Sequence, residues 1–493
     1  MQDGTLLAAV DLGSNSFRLE IARYEHGQLQ RIEYLKETVR QGGGLDAERN
    51  LSADALQRGW DCLARFAERL RDFAPAQVRA VATQTLREAR NRDVFIERGS
   101  AILGHRIEVV SGPEEARLIY QGVSHLLPQS DERRLVLDIG GRSTELILGQ
   151  QYQAQEVASF RVGSVSWSAQ FFADGQFTER AFARAETAAQ AQLDEALAVY
   201  QRQRWDCAYG ASGTVGAVGE ILAASGHAPG RITRQHLDGL YQQLLRAGHA
   251  SRVQLPGLKE ERRAVIGGGL SVLRALFALL QIDTLHVAQG ALRQGALYDL
   301  IERDSPATDQ RRATVSALQQ RFGVDTAQAE RVAQAASTLF AQATGQEQPG
   351  HAQELTWAAQ LHEVGCRIAH SGYHRHGAYI LDNTDAAGFA QHELQRLALL
   401  VRAHRGKLRK LELPWSAPLA LQLACLRLAV ALCHARRPPE LAGLHLRQDP
   451  GHITLRLPTD WATRYPQSAH LLREESQDWQ RTPWALEVIA QSA

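Results

Sequence analysis

Long apolar runs are missing from this 493-residue chain. No stretch reaches the roughly 18 uninterrupted apolar residues that a membrane-spanning helix requires. The nearest, 419–433, carries Gln422 and Arg427 and reads as a buried helix. Cysteine is scarce: there are five, Cys62, Cys207, Cys366, Cys425 and Cys433, an odd number with no C-x-x-C pair. That excludes a disulfide framework and fits buried thiols in a reducing compartment. An excess of one charge is also absent, because 55 Lys and Arg stand against 54 Asp and Glu. Coating by nucleic acid through bulk charge is thereby excluded, and any bound anion must be gripped by a local cluster. The first ten residues lack a basic segment leading into an apolar one, so no secretory signal is expected and the cytoplasm is the expected compartment.

What is present is an ordinary globular composition, 44% hydrophobic and 22% charged. The length suggests about three domains at about 150 residues each. Up to about residue 300, short apolar runs (6–10, 78–82, 107–110, 135–137) end in Gly, Ser or Thr and alternate with longer segments of helical spacing such as 52–73 and 179–201. This pattern predicts an α/β fold. Beyond residue 302 glycine thins out, helical periodicity dominates 311–339, 354–368, 393–404 and 418–436, and eleven of the 18 histidines occur. Short strands are expected at 444–447 and 453–457. The expected divisions are 1–125, 126–302, 303–440 and 441–493.

One internal repeat organises the first half. The segment VDLGSNSFRL from Val10 can be laid on LDIGGRSTEL from Leu137, 127 residues later, with Asp, Gly, Ser and Leu coinciding. Each copy reads as strand, D-x-G turn, strand, which predicts a duplicated domain with a cleft between the halves. Glycine turns with hydroxyl side chains suit phosphate, because backbone N–H groups can approach an anion closely. An Asp at the strand end cannot face phosphate without a cation between them, and so implies Mg²⁺. The candidate phosphate contacts are Ser14, Asn15, Ser16 and Arg18 in the first copy and Gly140, Gly141, Arg142, Ser143 and Thr144 in the second. A third glycine-rich turn offers Gly210, Ser212 and Gly213 ahead of a helix. Arg87 and Arg293 adjoin strand ends or turns and could hold phosphate oxygens in a fork. In Ser111-Gly112-Pro113-Glu114-Glu115, both carboxylates fall in the first turn of a helix, either decorating its dipole or sending one Glu into the cleft as a general base.

The ordered motifs VDLGSNSFRL, TQTLREARN, SGPEEARLIYQGV, LDIGGRSTEL, GASGT, LPGLKEERRAV and GALRQGALYD resemble the exopolyphosphatase and guanosine pentaphosphate phosphatase family, and LHEVGCRIAHSGYHRHGAYIL resembles its helical third domain. The resemblance implies an actin-like pair of ribonuclease-H-like domains, followed by an all-α HD-like domain and a small α+β C-terminal domain. It implies Glu115 as the catalytic base, Asp138, Glu145 and Asp11 as the acidic residues around Mg²⁺, and Arg87 as a contact of the T-x-T-L-R segment. Where the family usually has glycine or another small residue, this chain has Arg142. His362-Glu363 stands where HD proteins carry His-Asp, but the neighbouring helices supply no further ligands, so a full metal site is not expected there. The expected activity is release of orthophosphate from the end of inorganic polyphosphate, with 5′-dephosphorylation of guanosine pentaphosphate (pppGpp) as the alternative. The resemblance also implies a homodimer, with weak peripheral contact to the inner membrane kept open. Five fixed cations within 402–410 form a surface run that could suit a long polyanion.

Overall fold

In the computed structural model, which describes residues 1–305, 307–344 and 349–490, the first apolar run LLAAVDL forms β1 (Leu6–Leu12) at the centre of a five-stranded sheet. Its residues are apolar without alternation because both faces are covered. Ala8, Val10 and Leu12 pack into a core with Phe17, Leu63 and Phe66, while Leu7 and Ala9 meet Ala296 and Leu297 on the other side. β2 (Ser16–Glu25) and β3 (Gln28–Thr38) run antiparallel on one flank. β4 (Val78–Ala82) and β5 (Ile107–Val109) run parallel on the other, giving the order β3-β2-β1-β4-β5.

The duplication expected from sequence is repeated in the topology. β6 (Arg133–Ile139), β7 (Thr144–Gln150) and β8 (Gln153–Phe160) form the second antiparallel meander, and β9 (Cys207–Ala211) pairs parallel with β6. β10 (Arg231–Thr233) pairs antiparallel with β11 (Thr284–Val287), which lies parallel to β9. The sheet order β10-β11-β9-β6-β7-β8, read from its far end, is the first sheet again with one strand added. The repeated aspartates also share a register position: Asp11 pairs across to Arg18, and Asp138 to Glu145.

Met1–Asp309 form one compact unit and Gln310–Ala493 a second. In the second unit the helical pattern of 311–339 is split into Gln310–Arg321 and Thr326–Thr344, with Gly323 at φ +63° between them. β12 (His445–Asp449), β13 (His452–Leu457) and β14 (Ala485–Ala490) form a small sheet. The segment expected as a separate domain from residue 441 shares one apolar core with the helices, since Leu444, Ile453, Leu455 and Trp479 cluster with Leu339, Leu419 and Leu423. Among the described residues no helix is long and apolar enough to cross a membrane.

Candidate active site

The carboxyl ends of the parallel strands in both sheets of the first unit open into one cleft of about 410 Å³. This is the end of an α/β sheet where loops are free to meet a ligand. Asp11 and the turn Gly13–Ser16 enter from β1, Thr83 from β4, and Asp138 with Gly140, Gly141 and Ser143 from β6. Ser212 and Gly213 follow β9, and 288–293 follow β11.

The helix Gly112–Ser124 contributes Glu115. Ser111 caps it by accepting from the Glu114 N–H, Pro113 sits in the first turn, and both glutamates are buried. Their partners separate them. Glu114 is held by Arg117 (Nε to Oε2, 2.8 Å) and faces Arg79, inside an ion cluster in which Arg79, Arg117 and Arg303 converge on Asp299. Glu115 lines the cleft, and its Oε2 accepts from Arg87 Nη1 at 2.7 Å.

Four carboxylates are crowded here. Burial, opposed by the Arg87 guanidinium, pushes the Glu115 carboxyl above its ordinary range. Burial first, and then Glu115, push Asp138 up to about 7. Glu145 is raised well above its usual value by burial and by Glu115 and Asp138, while Ser159 Oγ donates to its Oε1 at 2.8 Å. Asp11 is paired with Arg18 at 2.8 Å. The second hairpin thus sets two carboxyl groups side by side with no ion pair of their own among the described residues, and each resists losing its proton unless a cation comes to share the site. Among the described residues no three His, Cys, Asp or Glu side chains converge as a complete metal cage. Carboxylate oxygens are the donor type that Mg²⁺ takes, one or two of them beside waters and phosphate oxygens.

Several expected contacts lie elsewhere. Thr144 Oγ1 donates to the Val162 carbonyl at 2.6 Å and is fully buried, so its hydroxyl pins the hairpin instead of meeting phosphate. Gly210 is inside β9, where a side chain would strike Leu285 and Val215; it serves packing. Gly140 lines the cleft but spends its N–H on the Ser143 carbonyl, closing the turn. Arg87 donates to Glu115, to the Val110 carbonyl and to Gln84, and so is a partner of the glutamate, outside the cleft wall. Arg142 turns out of the cleft onto Glu88. Glu145 is buried directly across from Asp138 on the neighbouring strand and does not line the cleft. Ser14, Asn15, Ser16, Arg18, Gly141, Ser143, Ser212, Gly213 and Arg293 do line it. Arg293 is shared with Glu20 (3.2 Å) and lies over the Tyr34 ring. Ser212 adopts φ +75° as its hydroxyl donates to the Ile139 carbonyl, tying the third turn to β6.

Arg262 was missed. Its guanidinium lies against Gly213, has no ion-pair partner among the described residues, and is held below its ordinary pKa by burial and by Arg18. An unpaired, partly buried cation in a cleft is a receptor for an anion. In the sequence it stands in K-E-E-R-R, which is indistinguishable from a solvated surface run. Lys36 was missed likewise; it pairs with Glu261 at 2.5 Å, joining the two halves at the mouth of the cleft.

In the second unit, His362 and His404 are buried with ring centroids 5.4 Å apart, each against a backbone carbonyl. Arg402, Arg405, Lys407 and Lys410 of the basic run join His374 and Arg375 around a separate cavity of about 460 Å³.

The chain is similar to known proteins over nearly its whole length. The profile of the Ppx/GppA phosphatase family matches residues 20–304, and that of Ppx/GppA phosphatase domain III matches 310–476. Relatives named guanosine-5′-triphosphate,3′-diphosphate pyrophosphatase occur in Vibrio parahaemolyticus and Vibrio cholerae, each 39% identical over 98% of both chains. Among solved structures, an exopolyphosphatase-like protein is 26% identical with TM-score 0.56, covering 60% of this chain and 98% of its own. An exopolyphosphatase from Cytophaga hutchinsonii, 23% identical with TM-score 0.55 and the same coverage, shares the fold.

Proposed function

Since the chain belongs to the Ppx/GppA phosphatase family and is accordingly a phosphoanhydride hydrolase, we propose that it removes the 5′-terminal phosphate of guanosine pentaphosphate, leaving the tetraphosphate and orthophosphate. The full-length likeness to the Vibrio enzymes carries this choice of substrate. It reverses the order of the two substrates expected from sequence.

Glu115 accepts a proton from water as the water oxygen attacks the terminal phosphorus, and the bond to the bridging oxygen breaks toward the remaining diphosphate. Burial and the Arg87 contact oppose each other at this carboxylate and burial prevails, which makes it a stronger base than an ordinary glutamate. Arg18, Arg262 and the hydroxyls of Ser14 and Ser143 face the anion across the cleft. Asp138 and Asp11, which line the cleft, would hold Mg²⁺, with the Glu145 carboxylate beside Asp138 on the same hairpin, and the ion's charge would offset that of the phosphate oxygens.

Polyphosphate is the second reading, favoured by the exopolyphosphatase-like solved relative. One preparation assayed in parallel, with Mg²⁺, on guanosine pentaphosphate and on long-chain polyphosphate separates the two. A higher kcat/KM for the pentaphosphate is expected; a reversed ratio overturns the substrate assignment.

A further inference from the structure

The Asp138 turn carries a residue that leaves the cleft and crosses to the other half of the first unit. Arg142 Nη2 and Nε donate to Glu88 Oε2 at 2.8 and 3.2 Å, and Nη1 reaches the Gly42 carbonyl at 3.3 Å. Its stem lies on Gly42, where a Cβ would come within 3.0 Å of Arg142 Cδ. Glu88 then hands the contact inward. Its Oε1 accepts from Gln84 Nε2 at 2.6 Å, and Gln84 Oε1 accepts from Arg87 Nε and Nη2 at 3.1 and 2.7 Å. Arg87 Nη1 donates to Glu115 Oε2 at 2.7 Å.

The direction of this relay is fixed by charge. The amide of Gln84 must present its oxygen to the guanidinium and its NH₂ to Glu88, since a flipped amide would set donor against donor. Arg142 cancels the Glu88 charge, which otherwise competes for Arg87 on the same short helix. Both members of the Arg142–Glu88 pair are largely sheltered, with side-chain exposures of 24% and 10%, so solvent screens it less than a surface pair.

We propose that Arg142 and Glu88 are positioning residues: their salt bridge fixes Gln84 and Arg87, and so holds the Glu115 carboxylate in register with the Asp138 turn. The proposal rests on the reading of Glu115 as the group that activates water. Arg142 itself does not line the cleft, although Gly141 and Ser143 on either side of it do, and its guanidinium points away to Glu88, so the effect of its side chain falls on turnover and not on substrate affinity.

The test measures kcat and KM of the full chain on guanosine pentaphosphate with Mg²⁺ for Arg142→Gly, Arg142→Lys and Glu88→Gln, alone and combined with Glu115→Gln. Misplacing a catalytic group costs up to about a hundredfold, and Arg142→Gly is expected to lower kcat by about tenfold while KM stays within about twofold. Arg142→Lys restores part of the loss, because the charge returns without the fork. Arg142→Gly together with Glu88→Gln costs no more than the worse single change. On the Glu115→Gln background, Arg142→Gly costs nothing further. An unchanged kcat for both Arg142 variants, a change confined to KM, or an undiminished second loss on the Glu115→Gln background overturns the relay. Full activity of Glu115→Gln alone instead removes the base assignment, a failure distinct from that of the relay.

Discussion

Successive residues on a helix point about 100° apart, and that angle separates the two carboxylates at the start of Gly112–Ser124. Glu114 turns into arginines that neutralise it, and Glu115 turns into the cleft. Replacing Glu115 by Gln keeps the shape and the Arg87 contact but removes the proton acceptor; kcat should fall about 10²–10⁴-fold with substrate binding retained. Turnover assays with equilibrium binding of the substrate check this.

Asp138 makes a pH prediction. Its carboxyl ionises near 3.8 in an unfolded chain and at about 7 in the fold. Between these values the unfolded state has released the proton while the folded state keeps it, so the folded state loses stability as pH rises through that window. Asp138→Asn escapes the loss. With divalent metal chelated, the variant should melt above the wild type at pH 8, with a gap that shrinks toward pH 4; a gap independent of pH contradicts the raised carboxyl. At this scale the sequence was informative where chemistry is tied to a turn: Asp11, Ser14, Asp138 and Ser143 all stand where the D-x-G motifs put them. It was silent about long side chains. Arg142, Arg87 and Arg262 can each reach in several directions, and only packing against Gly42, Val110 and Gly213 selects one.

Among elements, the helices Gly112–Ser124 and Leu292–Arg303 meet backbone to backbone at glycines. A Cβ on Gly295 would lie 1.7 Å from the Leu118 carbonyl oxygen, and one on Gly122 would lie 2.1 Å from that of Ala291. Backbone cannot rotate aside, so Gly295→Ala must push the helices apart and displace the turn that bears Glu115. A loss of about 1–3 kcal/mol is expected, together with lower kcat, measured by denaturant unfolding and by turnover. Gly213→Ala makes the contrasting case. Its Cβ meets the tip of Arg262 at 1.9 Å, and a flexible guanidinium can swing away. Stability should change little while KM rises, as kinetics beside a thermal melt would reveal. The hairpins were legible in the sequence because apolar runs and a glycine turn dictate them locally. The helix–helix crossing was not, since GALRQGALYD displays its glycines without naming what approaches them.

For the whole molecule, two compact units, each with its own apolar core, imply separate cooperative transitions. Calorimetry should resolve two, and a phosphate ligand with Mg²⁺ should raise only the one that Asp138→Asn also shifts. The α/β character of the first unit and the helices of the second were readable from hydrophobic period and glycine content. The shared core of the helices and β12–β14 was not, because it joins Leu339 to Leu444 and Trp479, far apart in sequence.

The two hairpins differ in charge at the rung that carries the repeated aspartate. Across from Asp11 stands Arg18, and across from Asp138 stands Glu145. One hairpin therefore neutralises its aspartate within itself, while the other sets two carboxyl groups side by side. An anion lying between the two turns would have unlike neighbours on its two sides, and an inherited twofold likeness becomes a sense of direction.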